Sequence, residues 1–219
     1  MVTPLLSFDF GQFLPPMLRG AGVTVTLVLA AGVAGTIIGL VFGVARSAPL
    51  APIRWLASVY INFLRGIPIL IILLFLYYEI PLLFPYATFS QTLTAVIGLS
   101  VYAGAYMAEI FRGSIQAIPR GQLEAGEALG LNYLQKMRYV VLPQAMKIAV
   151  PPGIGFLIAL VKASSLVSVI SATDLTRAGR IITSQNHAPL STFLVVAALY
   201  FVISYPLSLF GRWYERRLA

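Results

Sequence analysis

Apolar stretches of about twenty residues alternate with short polar segments along most of this chain. A helix of about 20 apolar residues is long enough to cross the hydrocarbon core of a bilayer. The pattern predicts an all-α integral membrane protein with about five transmembrane helices, forming a single domain over residues 1–219. The predicted spans lie at about residues 20–44, 53–80, 93–111, 140–161 and 192–209.

Three local features modify this pattern. Pro68 lies inside the second span and removes a helical hydrogen bond, which predicts a kink or break there. Gly35, Gly39 and Gly43 recur every four residues and place small side chains on one helix face. They are either a specific dimer face or the ordinary glycine enrichment of membrane helices. Residues 162–190 become polar after a short apolar start, which indicates a re-entrant or surface-lying segment rather than a sixth span.

Basic residues cluster on one side of the predicted spans. Lys and Arg near span ends are retained in the cytoplasm, so the larger group marks that side. With the N-terminus outside, the cytoplasmic group comprises Arg46, Arg54, Arg112, Arg120, Lys136, Arg138, Arg212, Arg216 and Arg217. The outer group comprises only Arg19, Arg177 and Arg180. We therefore expect a cytoplasmic C-terminus.

The composition supports a membrane setting and excludes several functions. Apolar residues make up 59% of the chain and charged residues 10%, against about a quarter charged in soluble proteins. Topology explains the net charge of +8, so the expected partner of these charges is anionic lipid rather than nucleic acid. With no cysteine and only His187, thiolate catalysis and clustered metal ligands are not expected. We predict neither a catalytic residue nor a metal site.

A polar island interrupts the apolar pattern at residues 117–134. Pro119 can open a helix there, and Gly130 with Asn132 can end it. Two short helices separated by Gly130 would present apolar side chains to a groove in a partner. The outward residues expected from this arrangement are Leu123, Ala128, Leu131 and Tyr133. A solvated loop whose charges only keep it out of lipid is the alternative.

The island resembles the Glu-Ala-Ala loop of ABC importer permeases, because Glu124-Ala125 is followed at fixed intervals by Gly130 and by Leu142-Pro143. Further segments resemble the polar amino-acid uptake permeases, of the histidine, glutamine and arginine type. These segments are 63–68, 105–113, 115–122, 142–145 and 160–170. The resemblance implies that the loop couples to an ATPase through Gly121, Gln122, Glu124, Ala125, Glu127, Gly130, Leu142 and Pro143.

The resemblance also implies a type I importer permease in a bacterial cytoplasmic membrane. Such a subunit pairs with a second permease chain, identical or related, and binds two cytoplasmic ATPase subunits. It receives substrate from an extracytoplasmic binding protein. This chain contains no Gly-x-x-x-x-Gly-Lys-Ser/Thr phosphate loop. No cofactor is therefore expected here, and ATP and Mg²⁺ are expected on the partner ATPase.

This sequence departs from the family pattern at two places. Gly126 stands where the loop has its second Ala, a change that loosens a helix by up to ~1 kcal/mol. Gly155, Ala159 and Ala163 stand where family members often carry polar residues. The departures leave the substrate open among amino acids and their derivatives.

Ionisable and aromatic residues within the spans are candidates for the substrate pathway, since a charge at mid-bilayer costs at least ~2.5–3.5 kcal/mol unless it faces protein or water. Tyr102, Tyr106 and Glu109 share one helical face. The candidates for the pathway or its gate are Arg65, Glu79, Tyr102, Tyr106, Glu109, Lys162, Ser164 and Ser165.

Each assignment has an alternative. Arg65 and Glu109 could instead join helices, and Glu79 could lie at the outer interface beside Tyr77 and Tyr78.

A secondary transporter or channel for small zwitterions, working without an ATPase, is the alternative function. We find neither paired broken helices nor a filter-like ring motif to favour it.

Overall fold

A computed structural model describes residues 9–218 and shows only helices and their connections. The predicted domain included residues 1–8 and 219, which lie outside the described part. The helices are α1 Phe10–Arg46, α2 Ala51–Gly66, α3 Ile69–Leu74, α4 Ile80–Leu83, α5 Gln91–Gln116, α6 Arg120–Ala128, α7 Tyr133–Lys136, α8 Leu142–Ala163, α9 Leu175–Asn186 and α10 Pro189–Leu218. The all-α fold class is confirmed.

Four helical runs of the described chain are long and apolar enough to cross a membrane, and a bent pair makes a fifth. The four are Gly11–Arg46, Gln91–Gln116, Tyr133–Ile170 and Pro189–Arg217. The bent pair, Ala51–Gly66 with Ile69–Leu83, turns by 101° at its break. These runs contain the predicted spans, except that the break interrupts 53–80.

The break lies where Pro68 predicts it. Ile67 is extended, with φ −105° and ψ 132°, and Pro68 caps the start of α3. A proline ring clashes with the α conformation of the residue before it, which explains why Ile67 leaves the helix.

Two π-helical turns precede two other prolines. Phe75–Glu79 lies before Pro81 and Met137–Val141 before Pro143. In each turn an N–H group reaches five residues back, as Leu142 does to the Met137 carbonyl. A proline in a regular helix would clash with the carbonyl four residues earlier, and the wider turn relieves that clash.

The second π turn joins α7 to α8, and a 3-10 segment, Ser164–Ile170, extends α8 further. Tyr133–Ile170 is therefore one helical run. The prediction of two short helices around Gly130 is wrong for the second of them, because α7 is the first turn of the fourth span.

The glycine face of α1 packs against α5. Cβ atoms built on Gly35, Gly39 and Gly43 would lie 2.4–2.8 Å from atoms of α5. This distance is shorter than any ordinary contact, so only glycine permits the two helices to approach so closely. Because α5 covers this face within the chain, the dimer-face interpretation of these glycines is wrong.

Residues 162–190 fold back onto the bundle as the 3-10 segment and α9. Buried Leu175 and Ile182 of α9 pack with Met17 of α1 and Val196 of α10. By contrast, most of α10 faces outward, and its long apolar side chains, such as Phe201 and Val202, are more than 60% exposed.

Candidate functional site

The polar island folds as α6 with well-defined ends. Pro119, in an extended conformation, caps its start. At its end Gly130 has φ +73° and its N–H donates to the Glu127 carbonyl at 2.8 Å. The Leu131 N–H donates to the Gly126 carbonyl at 3.0 Å. This pair of bonds is a Schellman cap, which requires a left-handed residue at Gly130.

The inner face of α6 packs on the base of the fourth span. Leu123 lies against a buried cluster of Ile118, Met137, Val141 and Ala145. The expected outward position of Leu123 is therefore wrong.

The residues that follow α6 agree with the expectation in part, because Tyr133 is exposed and Leu131 is not. Leu131 is half-buried, and the Tyr133 hydroxyl donates to the Ser47 carbonyl at 3.1 Å. Ala128 is exposed as expected, and Leu129 and Leu134 provide the outward apolar surface.

The outer face of α6 carries most of the predicted coupling residues. Exposed positions are Gly121, Gln122, Glu124, Ala125, Glu127 and Gly130, with Pro143 nearby on α8; Leu142 is half-buried. The face combines amide, carboxylate and small side chains on a helix that projects from the bundle. Such a face can fill a groove in a partner protein.

Gly126 is the buried position of α6. A Cβ at this position would lie 3.1 Å from Cγ of Lys136. The Lys136 ammonium pairs with the Glu127 carboxylate. The stem of Lys136 therefore occupies the space that a methyl group at residue 126 would need.

Besides the Lys136–Glu127 ion pair, two connections join α6 to the fourth span. The Gln144 side-chain amide donates to the Gln122 side-chain oxygen at 3.3 Å and to the Val140 carbonyl at 2.8 Å. The Gln144–Gln122 hydrogen bond and the Leu123 contact attach α6 to a helical run that extends to Ile170. A displacement of α6 can thus be transmitted along that run.

Glu109 is the centre of a charged cluster that joins three helices. Its carboxylate lies 3.0 Å from Arg46 Nη1 on α1, 2.5 Å from Arg112 Nη2 on α5 and 3.7 Å from Arg65 Nη1 on α2. The helix-joining interpretation of Glu109 agrees with this geometry. Arg46 and Arg112 were not among the sequence candidates, although the i, i+3 spacing of Glu109 and Arg112 is a readable signal.

Arg65 also lines a polar cavity of about 370 Å³ at the α2–α3 break. Its guanidinium lies 5.5 Å from the Tyr106 ring centre, a cation–π distance. Tyr102 and Leu166 also line the cavity, together with residues 66–70 of the break. The structure thus brings Arg65, Tyr102 and Tyr106 together, with Glu109 behind them.

The other predicted pathway residues lie elsewhere. Glu79 is exposed in the first π turn and has no ion-pair partner in the described chain. Ser164 is fully buried and donates to the Val161 carbonyl, which does not suit a pathway wall. Ser165 donates to the Lys162 carbonyl at 2.7 Å.

Lys162 lines an open groove of about 430 Å³ between α8 and α10. The α10 wall contains Tyr200, Ser204, Tyr205 and Ser208, none of which was a sequence candidate. Their i, i+4 spacing within an apolar helix is the signal that could have revealed them.

A buried polar cluster beside this groove was also not predicted. Asp174 caps α9 by accepting from the N–H groups of Thr176 and Arg177, and the Tyr200 hydroxyl donates to it at 3.2 Å. Thr24 of α1 accepts from the Leu175 N–H. Burial raises the pKa of Asp174, against the opposing effect of these hydrogen bonds.

Among residues 9–218, no group of three or more His, Asp or Glu side chains is placed to hold a metal ion.

Comparison with known proteins adds the family. The profile of the family described as "Binding-protein-dependent transport system inner membrane component" matches residues 35–219. The probable amino-acid ABC transporter permease protein YckA of Bacillus subtilis (strain 168) is 39% identical over 207 residues, which cover 94% of this chain and 90% of that protein. The glutamine transport system permease protein GlnP of Escherichia coli (strain K12) is 35% identical over 216 residues, covering 97% and 99% respectively.

Two solved structures share the fold. The crystal structure of an amino acid ABC transporter with histidines matches with a TM-score of 0.88 and 34% identity, and covers 96% of this chain and 99% of that one. An inward-facing structure of the MetNI methionine ABC transporter matches with a TM-score of 0.81 and 25% identity, covering 93% and 96%.

Proposed function

This chain belongs to the family of binding-protein-dependent transport system inner membrane components, and from that premise we propose that its cargo is a polar amino acid or an amino-acid derivative. Family membership makes it the permease subunit of an ATP-driven importer, a multi-pass inner membrane protein whose ATPase is a separate subunit. An ATPase and a substrate-binding protein are its partners.

The cargo proposal is supported by the relatives and by the chain itself. The relatives include glutamine, arginine and cystine permeases. Within this chain, the cavity at the α2–α3 break and the α8–α10 groove each present a cation to open space. Cations in such positions suit a solute that carries a carboxylate.

We assign the contact with the ATPase to the outer face of α6, centred on Gln122 and Glu124. The observation that carries this assignment is the division of α6 into two faces. Its outer face is exposed and polar, while Leu123 packs on the cluster that begins the fourth span. A helix attached in this way transmits a push from the cytoplasm to the run that carries Lys162.

The working cycle in this proposal is alternating access. Two ATPase subunits close around ATP and Mg²⁺ and move two permease chains, which are copies or relatives of this one. The N-terminus lies outside and the C-terminus in the cytoplasm, as the basic residues favour. Substrate arrives from the binding protein on the outer side.

A charge-reversal pair tests the α6 assignment. Glu124→Arg and the matched control Glu215→Arg, which changes an exposed glutamate of α10, are purified with the cognate ATPase. We expect the Glu124 variant to recover about tenfold less ATPase, because a longer side chain of opposite charge now stands in the proposed contact. Equal recovery with both variants would contradict docking on α6.

A further inference from the structure

The α8–α10 groove has the features of an anion site. Ile158 and Lys162 form one wall, one helical turn apart. Ser204, Tyr205 and Ser208 lie on the facing side of α10. Lys162 is exposed within the groove, and its ammonium has no hydrogen-bond or ion-pair partner among the described residues.

Lys162 lies within a long helical run rather than at its end. The helical run that contains it continues for eight residues, to Ile170, a rise of roughly 14 Å. The facing residues of α10 are also mid-helix, between Pro189 and Leu218. Within the hydrocarbon region of a bilayer, a cation costs at least ~2.5–3.5 kcal/mol unless it faces protein or water.

The hydroxyl groups of the groove are available to a ligand. Serines elsewhere in the spans donate to their own helix, as Ser100 does to the Val96 carbonyl at 2.6 Å. The Ser204 and Tyr205 hydroxyls make no hydrogen bond within the described chain, and Ser208 accepts from Arg212 at 2.7 Å. Two unengaged hydroxyl donors therefore lie opposite an unpaired ammonium.

The groove contains no acidic residue among those that line it. Asp174 is nearby only through Tyr200, whose hydroxyl points to it and away from the groove. The net charge of the site is therefore positive. A ligand with a cationic side chain finds no acidic residue in the groove lining to pair with that charge.

We propose that Lys162, Ser204 and Tyr205 bind the carboxylate of the transported solute, and that the permease favours amino acids without net positive charge over cationic ones. The inference rests on the proposed function and specifies its substrate class. Lys162 supplies the charge and the two hydroxyls orient the carboxylate.

A single introduced cysteine tests the site, because the natural chain has none. Ser204→Cys is prepared in the full complex in proteoliposomes and is labelled with anionic and cationic methanethiosulfonate reagents of similar size. We expect the anionic reagent to react faster. Adding Lys162→Gln should lower the ratio of the two rates by about fivefold or more. The matched control Lys147→Gln, an exposed lysine on the same helix but outside the groove, should leave the ratio unchanged.

Protection provides the second measurement. A mixture of neutral L-amino acids should slow labelling of the introduced thiol in the Ser204→Cys variant, and L-arginine at the same concentration should not. Absence of labelling by both reagents, as expected for a lipid-facing groove, would overturn the proposal. The proposal would also be overturned if Lys162→Gln left the rate ratio unchanged, or if L-arginine alone protected the thiol.

ATP-dependent uptake is measured in the same vesicles. If uptake persists while labelling shows no charge preference, the groove assignment fails and the transport function stands. If even the unmodified complex shows no ATP-dependent uptake of amino acids, the proposed function itself fails.

Discussion

At the scale of single residues, glycines decide how closely α1 and α5 can approach. Gly39 is the tightest position, since a Cβ there would lie 2.4 Å from the Met107 Cβ and 2.9 Å from the Ala108 nitrogen. Neither atom belongs to the end of a flexible side chain. A methyl group must therefore separate the two helices.

We expect Gly39→Ala to lower the thermal midpoint of the purified protein, because overpacking a tight contact costs about 1–3 kcal/mol. Gly22→Ala is the matched control, since it lies in the same helix with no atom near its added methyl group. Thermal unfolding followed by fluorescence compares the two variants. Equal midpoints would show that the contact tolerates a methyl group.

Asp174 gives a prediction about pH. Burial raises its folded-state pKa above the ordinary value of 3.8. The protonated form is thus favoured by folding. The protonated Asp174 side chain therefore contributes its full stabilisation when the pH is below 3.8. This contribution is lost as the pH rises through the folded-state pKa of Asp174. The uncharged side chains that hydrogen-bond it are Tyr200 and Thr176, and the nearby Arg177 contributes its backbone N–H.

We expect Asp174→Asn to flatten this part of the pH profile of thermal stability, because asparagine does not ionise. The midpoint of the unmodified protein should fall relative to the variant as the pH rises above about 4. The expected change is a few degrees, since about 1 kcal/mol shifts the midpoint of a chain this size by about 2–4 °C. Parallel profiles would contradict the assignment.

Residue types were more predictable than residue pairs. A charge within an apolar span identifies Glu109 and Lys162 as significant from the sequence alone. The partner of Glu109 on α1, Arg46, lies 63 positions away, and no local pattern connects the two. The Asp174 cluster joins three separate helices in the same way, which is why the sequence did not reveal it.

At the scale of elements, the length of the apolar stretches located the spans, and proline chemistry explains their irregularities. Pro68 breaks the second span, whereas Pro81 and Pro143 are accommodated by π turns. The sequence predicts that a proline disturbs a helix. Whether the chain breaks or widens depends on the packing around it, so the continuous run from Tyr133 to Ile170 was not predictable.

Gly130 controls the end of α6 and therefore the position of the coupling face. Gly130→Ala places a Cβ in the left-handed region, which costs roughly 1–2 kcal/mol. Space does not limit the substitution, because no atom lies within 4 Å of the built Cβ. We expect faster proteolysis of the α6 segment and weaker ATPase recovery.

Gly113→Ala on α5 is the control for this substitution, because it adds a methyl group into open space without a positive φ. Limited proteolysis of both variants, followed by mass spectrometry of the fragments, measures the effect. Identical cleavage rates would contradict a requirement for the left-handed cap.

At the scale of the whole molecule, two separate regions are connected by one long helical run. The α6 face lies at one end of Tyr133–Ile170, and Lys162 lies toward the other. The closely packed pair of helices α1 and α5 supports this helical run from the side. In the proposed cycle, this arrangement allows work done by an ATPase on α6 to change the proposed solute site at Lys162.

The most direct test is uptake of radiolabelled L-amino acids into proteoliposomes that contain this chain, its cognate ATPase and its binding protein. The account predicts that these vesicles accumulate an amino acid without net positive charge only when ATP and Mg²⁺ reach the ATPase and the binding protein is present. Accumulation that continues without ATP, driven by an ion or solute gradient, would contradict an ATP-driven mechanism and would indicate a secondary transporter.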